Sequence, residues 1–202
     1  MRRSLPLLTA LALVAPFAPM RADEPKKDPS KSDLPLQLRV VAKVNKYKLS
    51  DGKDLKKQLE DAKKTGRYPE PPAVDLVLEI TNGTDKDVEF WTGGDPVQVL
   101  LELKGPGAVT AKPLVISTLE FRLPKPMTLA AGKTHKVPVT RLRYGHRGIS
   151  ELAYWTEPGE YTLSATFNTG IKPAPKGTKA EDDGFARVKL TSDPIKIKVD
   201  DK

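Results

Sequence analysis

The sequence predicts an all-β fold in which two antiparallel sheets pack face to face, with one short helix inserted. Three observations predict it. After the Pro158-Gly159 turn, Tyr161, Leu163, Ala165 and Phe167 alternate with Thr162, Ser164 and Thr166, the period of a strand with one dry face and one wet face. Similar runs recur at intervals of roughly 8–15 residues, giving about eight or nine strands. Only residues 51–66 carry a helical period.

The first 22 residues read as an export signal. Arg2 and Arg3 precede an apolar stretch from Leu5 to Val14, and small residues follow around Ala18 to Ala22. The apolar run is too short for a spanning helix, and Pro6, Pro16 and Pro19 break it. The arginine pair hints at twin-arginine export, but its context fits general secretion better. Of 202 residues, cleavage after Ala22 leaves 180, and loss of three arginines and no acid lowers the formal charge from +8 to +5. Residues 23–34 are charged and proline-containing, a disordered spacer with nothing to offset ordering entropy. Residues 35–202 are read as a single sandwich domain.

The first strand starts near Leu36. Leu36, Leu38, Val40, Ala42 and Val44 share one parity, then Tyr47 and Leu49 take the other, which predicts a β-bulge near Asn45. In the helix, Asp51 is placed to cap the first turn and Asp54 to meet its positive end. Leu55, Leu59 and Ala62 form a narrow stripe, suited to a sheet edge or to a partner. Lys56-Glu60, Lys57-Asp61 and Glu60-Lys64 are one-turn ion pairs, and Gly66 is a stop.

Beyond Pro69, Pro71 and Pro72, Val74, Leu76, Leu78 and Ile80 alternate, and Asn82 to Lys86 form a turn whose glycosylation sequon the turn alone explains. Val88 to Trp91 and the row Val97, Val99, Leu101, Leu103 are the next strands. Weaker ones fall at Ile116 to Leu123 and Thr134 to Val139, separated by prolines. Residues 170–184 form a long loop. Strands at Ala186 to Leu190 and Ile195 to Val199 end the chain, the last with outward lysines suited to an exposed edge.

Catalytic signatures are missing. The chain has no cysteine, which removes a thiol nucleophile, a disulfide framework and a lipidated anchor. Of its two histidines, His135 shares parity with Val137 and Val139, as on a strand face. A serine nucleophile elbow, a zinc-binding His pair and a calcium loop are all absent from the sequence, and Glu181-Asp182-Asp183-Gly184 is at most a weak cation loop. No cofactor is expected. The densest basic segment carries Arg141, Arg143, Tyr144, His146 and Arg147, a candidate contact for an anion or a partner, or a solvated loop with arginine stems over the ring. Phe90-Trp91 and Tyr154-Trp155 each precede a turn, with one ring of each pair expected inside and the other outside or plugging the sandwich end.

Leu78-Glu79-Ile80-Thr81-Asn82-Gly83-Thr84, then Leu129 to Thr134, then Pro158-Gly159-Glu160-Tyr161-Thr162-Leu163 together resemble the bacterial intracellular-proteinase-inhibitor (BsuPI-like) family. That resemblance implies an immunoglobulin-like sandwich and, through the family, protease inhibition. The helix at 51–66 and the export signal depart from its pattern. Tyr154 to Phe167 and Leu190 to Ile195 are also similar to uncharacterised secreted proteins of planctomycete-type bacteria.

The expectation is a secreted, non-enzymatic, antiparallel immunoglobulin-like β-sandwich, periplasmic or extracellular, that binds a protein or an envelope polymer. Loops 141–150 and 170–184 would carry the contacts. Interleaved acids argue against a nucleic-acid partner, and no later apolar run spans a membrane. The alternatives are a protease inhibitor presenting an exposed loop and a hydrolase with an unrecognised site.

Overall fold

The Pro158-Gly159 turn launches a 14-residue strand, Gly159–Lys172, around which the sheets are arranged. The computed structural model describes residues 34–49, 52–113, 120–146 and 149–201. In chain order the elements are β1 (Leu36–Ala42), β2 (Lys46–Lys48), α1 (Gly52–Thr65), β3 (Ala73–Asn82), β4 (Val88–Gly93), β5 (Gln98–Lys104) and β6 (Ala108–Ala111). They continue with β7 (Lys125–Leu129), β8 (Thr134–Arg141), β9 (Arg143–His146), β10 (Ile149–Trp155), β11 (Gly159–Lys172), β12 (Ala186–Thr191) and β13 (Ile195–Asp200).

One sheet has the order β1-β3-β8, a second β6-β10-β9, and the third gathers seven strands around β11. On one side of β11, β13 pairs with residues Gly159 to Leu163 and β12 with Thr166 to Ile171. On the other, β5 pairs with Thr162 to Asn168 and β4 with Ile171 and Lys172. Every one of these pairs is antiparallel. Tyr161, Leu163, Ala165 and Phe167 all lie in the main core with Leu38 and Val40 of β1 and Leu76, Leu78 and Ile80 of β3. The Tyr161 hydroxyl donates back to the carbonyls of Glu157, at 2.7 Å, and Pro106, the corner contact seen in Greek-key sandwiches. The fold is an antiparallel immunoglobulin-like β-sandwich with one inserted helix, as the sequence predicts.

The described residues form thirteen strands, and the excess has identifiable causes. The parity switch near Asn45 is a change of sheet: β1 pairs with β3, whereas β2 crosses over and runs parallel to β13. No bulge is needed. Consequently β13 is an interior strand, and its lysines blunt no edge. Pro126 sits within β7, whose one ladder is to β4, so the edge position tolerates the missing N–H. Within the loop expected at 141–150, residues 143–146 form β9 and residues from 149 onward form β10, which pair antiparallel. Residues 120–124 are not strand. Leu34, assigned to the spacer, is half-buried and packs on the core. The signal segment, the rest of the spacer, the Asp51 cap and most of the strand expected from Ile116 lie outside the described residues.

Helix α1 covers a sheet face rather than an edge. Leu59 packs with Ala111, Leu152 and Tyr154, and Leu55 and Tyr68 flank this second core. Gly66, at φ 73°, closes the helix through its N–H to the Ala62 carbonyl at 2.7 Å. Glu60 pairs with Lys63, and Lys56 reaches across to Glu157, each at 2.7 Å. Both rings of each aromatic pair are buried. Trp155 enters the main core against Tyr47 and Tyr161, and Tyr154 enters the helix core, so the two faces of β10 are both dry. Trp91 stacks on Phe185 with ring centroids 5.1 Å apart. His135 lies on β8 with its ring edge-on to Phe90 at 5.7 Å. Asn82 is fully buried, and its amide donates to the Lys86 and Leu129 carbonyls, so its nitrogen serves the turn and not a glycan.

Two predictions follow from this packing. A Cβ at Gly170 would lie 2.6 Å from the Trp91 indole. Gly170→Ala should therefore cost about 1–3 kcal/mol, read as a fall of roughly 2–12 °C in the unfolding midpoint. Burial, helped by the hydrogen bond that the phenol donates to the Glu151 carboxylate, pushes Tyr144 up to about 12; burial, with Tyr68 nearby, pushes Tyr154 to about 12. Both phenols stay protonated in the folded chain while the unfolded chain ionises near 10. Stability should be intact below pH 10 and fall as pH rises from 10 to about 12. Alkaline difference spectra should show Tyr144 and Tyr154 titrating last, with Tyr47 and Tyr161 also raised by burial, and titration of Tyr144 and Tyr154 near 10 would contradict their burial.

Candidate binding surface

The described residues of the basic segment are spread over the end of β8 and over β9. Arg141 ends β8, and its guanidinium meets Glu70 at 2.9 Å and the Pro71 carbonyl at 3.3 Å. Leu142 is fully buried behind it. Arg143 opens β9 exposed, opposite Leu152 of β10. Tyr144 turns into the core with its hydroxyl held by Glu151 and Thr110, so it offers no ring for an arginine stem to cover. His146 ends β9 opposite Ile149. Arg147 lies outside the described residues. The acidic loop is similarly engaged: Glu181 meets Arg187 at 2.7 Å and Asp183 accepts from the Phe185 N–H. Among the described residues no three His, Asp or Glu side chains gather as a metal site.

The outward face of the β11 sheet is the larger open surface. Alternation that sends Tyr161 to Phe167 inward sends Thr162, Ser164, Thr166 and Asn168 outward. Two hollows lie on this face. One, of about 710 Å³, runs between Asp95, Gln98, Phe121, Asn168, Arg187 and Lys189. The other, of about 560 Å³, is lined by residues including Leu100, Glu102, Ser164, Thr166, Lys189 and Thr191, with Lys112 and Glu151 on its far wall. Lys189 borders both.

At the rim of the first hollow lies an apolar arm. Phe121 is 64 % exposed and Leu123 75 %. Between them Arg122 is gripped at both backbone groups by Asp95, its N–H donating to Oδ2 and its carbonyl accepting from the Asp95 N–H, each at 3.0 Å. Gly94, at φ 98°, permits this approach: a Cβ there would sit 2.4 Å from the Leu123 carbonyl oxygen. The backbone is therefore fixed while the two large side chains stand outside the fold.

Sequence reasoning placed Phe121 and Leu123 at the end of a weak strand and missed their exposure. The available signal was the crowding of Pro124 and Pro126 immediately after them, which argues against a continuing interior strand. Arg187, Lys189, Lys196 and Lys198 were read correctly as outward residues, but β12 and β13 were not seen to lie end to end along one partner.

No protein-family model matches the chain. No curated protein matches it. Among solved structures, the ASH or PapD-like domain 7 of human CEP192 is similar at 10 % sequence identity with a TM-score of 0.26, over 91 % of this chain and 99 % of that one. No helix among the described residues is long and apolar enough to cross a membrane.

Proposed function

We propose that the chain is a non-catalytic protein-binding module, exported by the segment 1–22 to the periplasm or beyond, whose partner docks on the Phe121–Leu123 arm. The observation that carries this reading is the pairing of exposed apolar side chains with a backbone clamped by Asp95. Covering a large apolar side chain is worth about 1.5–3 kcal/mol, and a pre-ordered backbone avoids much of the entropy that docking otherwise costs. The cysteine-free composition is compatible with export because the fold needs no cross-link.

The same clamp favours one second reading, protease inhibition through this arm, which the likeness to the BsuPI-like family implies. An inhibitor must offer an extended exposed segment that keeps its shape when a protease grips it, and residues 121–124 have that form.

Immobilised mature protein should capture a partner from envelope extract, and Phe121→Ser with Leu123→Ser should reduce recovery about tenfold, some 1.4 kcal/mol. Because both side chains are exposed, the unfolding midpoint should not move. Equal recovery by the variant would remove the docking reading. For the inhibitor reading, the wild type at micromolar concentration should slow at least one of a panel of serine, cysteine and metalloproteases, and a uniform lack of effect ends it.

A further inference from the structure

The geometry points to a binding track for an acidic polysaccharide along the outward face of β11, β12 and β13, one end of which borders the hollow beneath the apolar arm. Because β13 and β12 follow one another along the same side of β11, their outward bases fall into one line. Lys198 stands beside Glu160, Lys196 beside Thr162, Lys189 beside Asn168 and Arg187 beside Gly170. Ten β11 residues separate the first of these rows from the last, about 33 Å of strand. Parallel to this line, about 4.8 Å away, run the hydroxyl and amide side chains of Thr162, Ser164, Thr166 and Asn168. Lys46 lies beside Lys198 on β2, and Glu160 and Asp200 balance these two bases.

Charge on this face favours an anion. Asp200 neutralises Lys198 at 2.8 Å with the exposed Glu160 also beside it, Glu181 neutralises Arg187 and Glu102 neutralises Lys104. Lys189 and Lys196 have no ion-pair partner among the described residues, whereas Lys46 shares Asp200 with Lys198, which leaves two unpaired ammonium groups facing water along the track. A polymer carrying both carboxylates and hydroxyls matches the two lines together: the ammonium groups take the carboxylates, and the Ser, Thr and Asn side chains donate to and accept from sugar hydroxyls. The two outward lines hold no aromatic ring on which a nucleobase would stack and form no ridge that enters a duplex groove. They also carry no apolar side chain to reach into a bilayer.

The test uses the full mature chain, with polygalacturonate as probe and its methyl ester as the uncharged counterpart. Affinity electrophoresis at low salt should show retention by the acid form and none by the ester. Lys189→Gln with Lys196→Gln should weaken binding about tenfold, with a shallower dependence on salt. Lys57→Gln with Lys64→Gln on α1 removes the same charge and should change binding less than about twofold. Arg143→Ala with Arg147→Ala, which removes the basic segment, should behave like the helix pair. Lys189→Gln alone serves if the pair lowers the unfolding midpoint. Failure of the wild type to bind polygalacturonate would overturn the assignment. So would equal loss in either comparison pair, equal retention by the ester, or tighter binding of duplex DNA or phosphatidylglycerol vesicles.

Discussion

The strand β11 has four neighbours, two in succession along each side, and this single constraint sets the rest of the structure. Registers with β13, β12, β5 and β4 are all referred to one backbone, so slipping β11 by one residue would reverse every side chain it carries. Such a slip would drive Thr162 and Ser164 into the core and expel Tyr161 and Phe167. Two local contacts fix the strand against it. At its start the Tyr161 hydroxyl returns to the Glu157 carbonyl; near its end Gly170 leaves room only for the Trp91 indole. Between them, the break from β12 to β13 is held by Ser192, whose N–H donates to the Ala165 carbonyl and whose hydroxyl accepts from the Ala165 N–H, both at 2.9 Å. Ala165, which faces Leu101 of β5 on one side, thereby has its backbone groups satisfied on the other side, where β12 and β13 leave a gap.

Stability without cysteine follows from how the aromatic residues are divided. In many immunoglobulin-like domains a buried tryptophan packs on a disulfide. Here Trp155 packs between Tyr47 and Tyr161 instead, so a ring cluster joins β2, β10 and β11 across the core. The sheet change between β1 and β2 is what delivers Tyr47 to that cluster. On the opposite face of β10, Tyr154 donates at 2.6 Å to the Pro69 carbonyl, tying the segment after the helix to the sheet that the helix covers. The inserted helix is thus part of the fold's own burial, which accounts for its thin stripe: it has one face to fill and it fills it.

Period-2 runs were readable because a half-wet strand must alternate. β3, β5, β11, β12 and β13 were all legible for that reason. Where an element is dry on both faces the signal disappears, and β10, between the main core and α1, was missed on that account. β2 and β9 were too short to show a period, and Pro126 concealed β7 because a proline reads as a break unless its strand is known to be an edge. The binding surfaces were less legible still. Arg141 to Arg147 stand out as a dense local run, but local density says nothing of partners contributed from far away, and Glu70 takes Arg141 across a gap of 71 residues. The lysines at 189 and 196 are too far apart in sequence to attract notice. Only a shared neighbour places them in line.

The two candidate surfaces differ in what the fold requires of them. On the sheet face, every outward side chain is obliged to be polar by the same alternation that builds the core, so a threonine or serine there is explained by solubility alone. Lysines in a row are not. Alternating signs would have served solubility as well, and the β9–β10 side of the molecule does pair its outward Glu151 with Lys112. Along β12 and β13, Arg187 and Lys198 are paired with acids, but Lys189 and Lys196 have no ion pair among the described residues. Phe121 and Leu123 run contrary to solubility altogether, since Asp95 and Gly94 hold the backbone in a form that keeps both side chains in water. A fold that needed only to be soluble would place polar residues at both positions. The apolar arm and the basic track thus depart from folding requirements in opposite chemical directions, which is why the partners proposed for them differ in chemistry.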